Sequence, residues 1–447
     1  MNRAASLSRR RLLLAAAASA IAGCAPRPRS ADAGSAGAIA YRFVNGTWFD
    51  GTRFRPRTVY AVGGRFTDAA PGRIDRTIDL AHGHVVPPFA DAHTHHFDNP
   101  SNIADHVAMY LRDGVFYAKV QTDVRSRARL VADRVNRPDS VDVSYAHGGL
   151  TASNGHPIET YEGLALFGRP SARGVEEVRQ LRASRLRDND AYYVIDTAAD
   201  LERKWPDILA GRPDFIKIYL LFSEDYETRR QRTDTVGDRG MDPNLVAPIV
   251  ARAHAAGLRV SAHVNTAADY RAALAGGVDE MAHMPGVSMA ADIEPERYWL
   301  TQADARETAR RGVPVVPAPL HSPTLDPQSP AFNPASRARM EPVRRRNLAL
   351  LKRAGAPFAF GSDGFGRSPV RDVLYLATLG VFDNRELLKI WCEDTPRTIF
   401  PGRRIGTLAD GCEASFLVLD GDPLENLDQV RNIRLRFKQG DFIAAGP

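Results

Sequence analysis

Residues 83–96 read GHVVPPFADAHTHH, an apolar run that ends on two alternating histidines. The apolar run predicts a buried β-strand, in which residues i and i+2 point to the same side. His93 and His95 are therefore expected to project together from the strand end, while His96 points the other way. Such a pair can bind one cation, although on its own it is equally typical of an ordinary polar strand end.

Seven further apolar runs follow this strand along the chain. Helical patterns such as PNLVAPIVARAHAAG, residues 243–257, separate several of them, and alternating strands and helices predict a parallel sheet. Eight such units close a (β/α)8 TIM barrel, so the predicted fold class is α/β. The further runs are DGVFYAKVQ (113–121), SVDVSYAHGGLTA (140–152), PDFIKIYLL (213–221), GLRVSAHVN (257–265), VDEMAHMP (278–285), GVPVVPAPL (312–320) and APFAFGSDG (356–364).

Three of these runs carry side chains that suit a metal at or near their ends: His263, His283 and Asp363. A single histidine on a strand is more often a satisfied polar residue than a ligand. Here imidazoles and a carboxylate recur at the carboxyl ends of predicted barrel strands, which all lie at one face of a barrel. Together with His93 and His95 they predict a nitrogen/oxygen site for a divalent cation.

Lys217 lies inside the apolar stretch DFIKIYL, residues 214–220. A desolvated ammonium there costs on the order of several kcal/mol unless it is paired or modified. Strand lysines commonly avoid this cost by packing the stem and extending the charged head to solvent or to a carboxylate. Because four strands around it carry metal-binding side chains, we expect Lys217 to belong to the same site.

Both ends of the chain predict a second, β-rich unit. Residues 39–86 alternate short apolar runs with turn residues, and RIGTLADGCEASFLVLDGDP followed by IRLRFKQGDFI resumes that pattern near the other end. We expect 39–86 and 404–447 to form one small β-sandwich beside a barrel of residues 87–403. Two long connections, 151–212 and 321–353, follow the third and seventh strands, where active-site loops of barrels lie.

The first residues are typical of a targeting segment. SRRRLLL at 8–14 resembles a bacterial twin-arginine signal, and IAGC at 21–24 resembles a lipobox. The apolar run at 12–23 is too short to span about 30 Å of hydrocarbon. We expect a signal peptide at 1–23, a lipid anchor on Cys24 and a flexible tether at 24–38, which together give an exported, periplasmic protein. A simple secretory signal cut near the same place is the alternative.

The composition excludes several classes of protein. With 447 residues, 44% hydrophobic and 25% charged, the chain is typical of a globular enzyme. The formal net charge of +6 falls to +2 once Arg3, Arg9, Arg10 and Arg11 leave with the signal, so no nucleic-acid partner is expected. Beyond Cys24, Cys392 and Cys412 would allow one disulfide but form no CxxC metal motif.

Taken together, these motifs resemble the amidohydrolase superfamily. Its pattern places His-x-His on the first strand, Lys on the fourth, His on the fifth and sixth, and Asp on the eighth. The run GTLADGCEASFLVLDGDPL, residues 406–424, and the phrases DFIKIYL and VDEMAHMPG are similar to its imidazolonepropionase-like and prolidase-like branch. The resemblance covers about everything after Ile39.

The resemblance implies a metal-dependent hydrolase of amide or similar C–N bonds. Lys217 would carry a carbamate that bridges two cations. Zinc is the first choice, although the same ligands suit manganese, iron, cobalt or nickel, and one ion or two. A bound cation would lower the pKa of water to roughly 7, and Asp363 would take up the proton and pass it to the leaving amine. The remaining ligands would be His93, His95 and Asp363 at one ion and His263 and His283 at the other.

Three further residues are predicted to contact a small-molecule substrate. The loop SYAHGGLTASNGHP, residues 144–157, is similar to the Gly-Gly-His loop of that branch, which makes His156 a candidate for binding a substrate carboxylate or carbonyl, although a loop histidine in solvent is equally typical. Tyr219 and Asn265 alternate in phase with Lys217 and His263, so their side chains should face the same mouth. Because PPFA at 87–90 and Asn265 itself depart from the family pattern, the substrate stays open.

A deaminase, a lactone or ester hydrolase and a binding lipoprotein are the alternatives to this function. Related deaminases place Glu three residues beyond the fifth-strand histidine, where this chain has Thr266, and they lack the bridging lysine. Hydrolysis of an N-acyl amino acid, a dipeptide or a cyclic amide is therefore favoured. A lactone or ester hydrolase would use the same ligands. A non-catalytic periplasmic binding lipoprotein is disfavoured because it should have lost ligands, and all six are present.

Overall fold

The structure is a computed structural model that describes residues 38–443, apart from 171, 288, 290–292 and 322–323. The predicted signal peptide, Cys24 and all of the tether except its last residue lie outside the described residues. Within them the strands are β1 (Ala40–Phe49), β2 (Phe54–Val62), β3 (Arg65–Thr67), β4 (Arg76–Asp79), β5 (His84–Val86), β6 (Phe89–Thr94), β7 (Val115–Val120), β8 (Asp142–Tyr145), β9 (Gly149–Thr151), β10 (Tyr192–Val194), β11 (Phe215–Tyr219), β12 (Arg259–His263), β13 (Glu280–Met281), β14 (Phe416–Leu419), β15 (Ile433–Lys438) and β16 (Asp441–Phe442).

Helices alternate with many of these strands. Their ends follow ordinary sequence signals: Thr266 begins α8 with a capping box to Asp269, and Gly277 ends it in the left-handed conformation, with φ of 88°. The helices are α1 (Ile103–Arg112), α2 (Arg125–Ala128), α3 (Ile158–Phe167), α4 (Val175–Ala183), α5 (Ala198–Ala210), α6 (Tyr226–Arg229), α7 (Val246–Ala255), α8 (Ala267–Gly276), α9 (Gln302–Arg311), α10 (Pro334–Ala354), α11 (Val370–Thr378), α12 (Asn384–Lys389) and α13 (Thr395–Ile399).

The two ends of the described chain share one sheet. Its order is β16-β15-β14-β5-β1-β2-β3, with β4 paired to β1, and β14 runs antiparallel to β5. Aromatic rings fill a core of its own, in which the ring of Phe43 lies 4.9 Å from that of Phe416 and 5.2 Å from that of Phe437. The expected meeting of the two ends is therefore observed, whereas the two-layered sandwich and the domain bounds stay predictions.

Parallel strands form the centre of the molecule. β6-β7-β8 make one sheet and β10-β9-β11-β12-β13 a second. The seventh and eighth predicted strands pair through isolated bridges, from Val315 to Met281 and to Phe358, while Gly364 bridges to Thr94 of β6. The mixed α/β fold class is confirmed, and closure of these strands into a barrel stays a prediction.

The third predicted strand is interrupted. His147 and Gly148 have φ angles of 53° and 102°, so the run 140–152 breaks into β8 and β9, which lie in different sheets. Left-handed residues turn the chain out of a strand, and Gly148 adopts such angles at little cost. The loop that contains His156 follows β9.

Two further observations concern the cysteines and the helices of the described structure. Cys392 and Cys412 are both buried and free, so no disulfide joins them in the described structure. Among the described helices, none has the length and apolar character needed to cross a membrane.

Candidate metal centre

The strand ends bring the predicted ligands to one cavity. His93 lies near the end of β6, His263 ends β12, and His283 follows β13 by two residues. These three, with His95 and Asp363, line a cavity of about 160 Å³. The carboxyl ends of parallel strands are where barrel enzymes build their sites, so the position agrees with the prediction.

His93, His95 and Asp363 form the tightest group. The Nε2 atoms of His93 and His95 lie 3.3 Å and 3.0 Å from Asp363 Oδ1, and a ligand atom of each residue lies within 4.8 Å of the others. His93 Nδ1 donates to the carbonyl of Ala282 and His95 Nδ1 to that of Thr122, at 2.9 Å and 3.0 Å. These bonds direct both Nε2 lone pairs to the same point, as the outer partners of metal-binding histidines do.

His283 and His263 complete the ring of imidazoles. His283 Nε2 lies 3.6 Å from Asp363 Oδ2, and the ring of His283 lies 4.5 Å from the rings of both His93 and His263. The buried Nδ1 of His283 has no hydrogen-bond partner among the described residues. Asp363 therefore approaches His93 and His95 with Oδ1 and His283 with Oδ2.

Lys217 is fully buried on β11, with 0% of its surface exposed. Its Nζ has no hydrogen-bond partner among the described residues, and it lies 5.2 Å from the centre of the Tyr219 ring. Burial lowers the pKa of Lys217 to about 7, although Asp363 and Glu280 act to raise it. A substantial fraction of the amine is thus unprotonated near neutral pH, which is the form that can react with carbon dioxide to give a carbamate.

The charges around the cavity suit a cation. Burial lowers the pKa of His93 to about 3 and that of His263 and His283 well below its usual range, so these imidazoles are neutral. Burial would raise the pKa of Asp363, but the electrostatic influence of His93, His95 and His283 around it holds the pKa well below its ordinary value. Neutral imidazoles, an ionised carboxylate and an unpaired buried amine match the donor set of a divalent metal, so the residues present fit such an ion.

Asp91 fixes the loop that carries Asp363, a role that sequence analysis missed. Its Oδ2 accepts from Tyr110 and from the hydroxyl of Ser362, at 2.8 Å and 2.7 Å. Its Oδ1 accepts from the backbone N–H of His93 and of Ser362, both at 3.0 Å. Asp363 has a φ of 46°, a strained conformation that surrounding bonds must maintain. The signal was the position of Asp91 two residues before His93, on the same side of the strand.

The predicted substrate contacts lie around the cavity. His156 lines it and donates from Nδ1 to Glu159 at 2.5 Å, and its ring lies 4.8 Å from that of His263. Tyr219 lines it as well, with its hydroxyl bonded to Thr122. Asn265 lies instead in an adjoining cavity of about 360 Å³, which His156 also lines. Their binding roles stay predictions.

His321 and Phe365 are among the residues at the cavity that were not singled out from the sequence. His321 lines both cavities, its Nδ1 is buried without a partner in the described structure, and burial lowers its pKa to about 4. Phe365 stacks on His95, with ring centres 5.2 Å apart. His321 follows the seventh apolar run directly, and this placement was the available signal. Phe365 stands in a glycine-rich loop with no periodic pattern to mark it.

Solved structures share the fold of nearly the whole chain. A crystal structure of an amidohydrolase is 20% identical, with a TM-score of 0.68, and the match covers 91% of this chain and 99% of that one. A prolidase in complex with N-methylphosphonate-L-proline is 19% identical, with a TM-score of 0.68 and the same coverage. Molinate hydrolase is 15% identical, with a TM-score of 0.69, covering 91% of this chain and 95% of that one. The chain therefore shares its fold with these three proteins.

The sequence adds a family match to this likeness of fold. Residues 232–443 match the model of the amidohydrolase family, and the predicted resemblance to the superfamily is confirmed. No curated protein gave a significant match. At the level of the family, these findings support a hydrolase that cleaves C–N bonds of small molecules.

Proposed function

We propose that the protein is an exported, metal-dependent hydrolase that cleaves the amide bond of an N-acyl amino acid, a dipeptide or a cyclic amide. The observation that carries the proposal is Lys217, fully buried beside neutral imidazoles and an ionised carboxylate, with no partner for its amine among the described residues. A structural lysine would be paired. A lysine that forms a bridging carbamate must first present an amine that is not held in a hydrogen bond or an ion pair.

The proposal includes a closed (β/α)8 barrel. The bridges from Met281 to Val315, from Val315 to Phe358 and from Gly364 to Thr94 support it. So does the hydrogen bond from Ala92 N–H to the carbonyl of Phe360, at 2.8 Å. In a barrel these contacts bring all the strand ends that bear ligands to one mouth.

The proposed metal is zinc, as one or two ions. When bound, a divalent cation would make hydroxide available at neutral pH and polarise the substrate carbonyl. The ionised Asp363 takes the proton released as water attacks that carbonyl, and returns it to the leaving amine. Water attack breaks the C–N bond and gives a carboxylic acid and an amine. The ligands would be His93, His95, Lys217, His263, His283 and Asp363.

Residues around this group would position the substrate. His156, held by Glu159, faces the imidazole of His263 and can bind a carboxylate or carbonyl. Tyr219 lies on the same wall, with its ring 5.2 Å from that of His156. Asn265 borders the adjoining cavity, where it would contact the part of the substrate beyond the amide.

A deaminase is less well supported. Thr266 occupies the position where such enzymes have Glu, and its side chain caps α8 and donates to Glu224 at 2.9 Å. A lactone or ester hydrolase would share every ligand named above, since the same attack cleaves either carbonyl compound. A non-catalytic binding lipoprotein would not need to retain six metal-binding residues.

Export and a lipid anchor on Cys24 remain part of the proposal. They rest on SRRRLLL at 8–14 and IAGC at 21–24. We propose no membrane contact other than this lipid anchor. Residues 24–38 would tether the anchor to the folded protein.

Metal content tests the proposal directly. Elemental analysis of the purified mature protein should find one or two equivalents of a divalent metal. The same sample should hydrolyse members of a panel of N-acyl amino acids and dipeptides, and treatment with a chelator should remove both metal and activity. A protein that binds no metal, even when metal and bicarbonate are supplied, would contradict the proposal and favour a binding function.

A further inference from the structure

Among the described residues, five side chains line both the 160 Å³ cavity of the metal centre and the adjoining cavity of about 360 Å³. Ligand pockets usually measure roughly 300 to 1,000 Å³, so a substrate whose amide lies at the metal centre extends into the adjoining cavity. The scissile amide then lies among the shared side chains, which are His156, His263, His283, His321 and Asp363. His321 is the member of this set that the proposed mechanism does not use.

His321 lies beside the predicted ligands without joining their ring of imidazoles. The ring of His283 lies 4.5 Å from the rings of both His93 and His263, and no ring contact among the described residues includes His321. Nor does an ion pair join His321 to Asp363 in the described structure, whereas His283 Nε2 lies 3.6 Å from that carboxylate. His321 is therefore placed to contact what the cavities hold rather than to complete the group of ligands.

The backbone that leads to His321 is strained and is held by an ion pair. Ala318 has a φ of 38°, and strain of this kind persists only where surrounding contacts maintain it, often at functional sites. Arg367 donates from Nη2 to the carbonyl of Leu320 at 2.5 Å and pairs with Asp372. Asp372 accepts from the backbone N–H of Leu320 at 3.0 Å. Both polar backbone groups of the residue before His321 are thus fixed.

Arg344 of α10 joins this loop to a second loop of the adjoining cavity. Its Nη1 donates to the carbonyl of Pro319 at 2.5 Å. Its Nη2 and Nε donate to the carbonyls of Val287 and Gly286, at 3.0 Å and 3.3 Å. The side chain is 2% exposed and forms no ion pair with a described residue, although a buried charge without a counter-charge is costly. Because Arg344 lines neither cavity, it acts on them through the two loops.

We propose that His321 is a catalytic residue that donates a hydrogen bond to the carbonyl oxygen of the scissile amide, and that Arg344 is the positioning residue that holds it there. An imidazole offers at least one N–H donor in either charge state. A donor directed at this oxygen stabilises the negative charge that develops as water attacks the carbonyl carbon, so it acts mainly in the transition state. The inference rests on the proposed function and adds a donor to its six ligands.

Substitution of His321 tests the donor. In the metal-loaded protein, His321→Leu should lower kcat for N-acetyl-L-leucine about 100-fold, the usual effect of losing one such donor, and change KM less than about threefold. The metal content should stay that of the wild type. His321→Gln keeps an N–H donor and should recover at least about tenfold of the lost kcat. Loss of metal from His321→Leu would make His321 a ligand and overturn the assignment, as would a kcat that both variants leave unchanged.

A double-variant cycle tests the positioning role. Arg344→Lys keeps the charge but loses the planar set of donors that binds both loops. It should lower kcat about tenfold in the wild type and less than about twofold in His321→Leu, because its effect passes through a residue already removed. Arg346→Lys is the matched control on the same helix, since Arg346 donates to the carbonyl of Leu300 at 2.8 Å instead, and it should leave kcat unchanged in both. Equal effects of Arg344→Lys in the two backgrounds would disprove the positioning role.

A binding measurement separates this inference from the proposed function. The probe is the methylphosphonamidate analogue of N-acetyl-L-leucine, which places a tetrahedral, negatively charged group where the amide carbon would lie. In calorimetric titrations of the full-length protein, His321→Leu should weaken its binding at least about tenfold and leave that of L-leucine unchanged. If this holds while no amide is hydrolysed, His321 keeps its assignment and the proposed function fails. If amides are hydrolysed and His321→Leu changes neither kcat nor binding of the analogue, the assignment is disproved and the proposed function stands. A protein that neither hydrolyses amides nor binds the analogue contradicts both.

Discussion

Two lysines are buried inside the central strands, and their ammonium groups have opposite surroundings. Lys119 of β7, 4% exposed, donates to both carboxylate oxygens of Glu280 at 2.9 Å. Gln121 and Ser261 donate to the same carboxylate at 2.9 Å and 2.8 Å. Lys217 of β11 is 0% exposed, and its amine has no hydrogen-bond partner among the described residues. The protein thus pairs one buried lysine with a carboxylate and leaves the amine of the other without a hydrogen-bond partner among the described residues.

This difference separates a structural lysine from a functional one. A buried pair is strongly destabilised when one partner is removed, because the other charge is left uncompensated. An unpaired buried amine, in contrast, lowers stability for as long as nothing binds it. Lys217 therefore carries a cost in stability that a role at the metal centre would explain, and the two lysines should respond oppositely to the same substitution.

The largest expected effect is on activity. Lys217→Met should lower kcat/KM at least 100-fold and reduce the metal content by about one equivalent, because it removes the ligand that we propose to bridge the ions. Lys119→Met should retain the wild-type metal content in whatever fraction stays folded. Elemental analysis and initial rates on the same preparations measure both quantities. Equal metal content in wild-type protein and Lys217→Met would show that Lys217 holds no metal.

The second effect is on stability and has opposite signs at the two positions. Lys119→Met should destabilise the protein by about 3–5 kcal/mol, since Glu280 is left buried and unpaired. Lys217→Met should leave the metal-free protein as stable as the wild type or more stable by about 1–3 kcal/mol, since it removes an unsatisfied polar group. Urea unfolding of chelator-treated samples gives the comparison. A Lys217→Met protein that unfolds as easily as Lys119→Met would mean that both lysines are structural.

The comparison of the two lysines also shows how much of the fold and of the site the sequence alone could predict. The runs ending at His93, His263 and Asp363 predicted the α/β class and the ligand set, because strand period and apolar character are local properties. The partner of Lys119 is 161 residues away, so nothing local distinguished Lys119 from Lys217. Lys217 was singled out by the metal-binding side chains predicted on other strands and by the resemblance. Asp91 was missed for a similar reason, since its contact with Ser362 spans 271 residues.

Loops and pairing between distant strands were the least predictable parts. The place of Phe365 at the cavity does not follow from a period of 2 or 3.6 residues, because it depends on where separate loops meet. The break between β8 and β9 depends on positive φ angles at His147 and Gly148, in a run whose composition is typical of one strand. The signal and the lipid anchor, by contrast, are read from composition alone and stay predictions.

The smallest expected effect is a dependence of stability on acid pH that belongs to the Lys119–Glu280 pair. Burial would raise the pKa of Glu280, but Lys119 holds that pKa at about 2, below its ordinary value of 4.5. A carboxylate with a lowered pKa contributes stability that is present above pH 4.5 and is lost as the pH falls toward 2, because the unfolded chain binds the proton first. The pair should therefore contribute a decline of about 3 kcal/mol across this window, at about 1.4 kcal/mol per pKa unit.

The double variant Lys119→Met/Glu280→Gln removes this decline without leaving a lone charge. Its Tm should fall less steeply than that of the wild type between pH 4.5 and 3, as measured by thermal denaturation at several pH values. Glu307→Gln is the matched control: Arg310 and Arg311 also lower the pKa of Glu307 to about 2, but on the surface. Water and salt screen that surface pair, so its removal should leave the slope nearly unchanged at 0.15 M salt. Parallel slopes for the wild type and the double variant would show that the buried pair is protonated together with the unfolded chain, and the contrast between the two lysines would then rest on Lys217 alone.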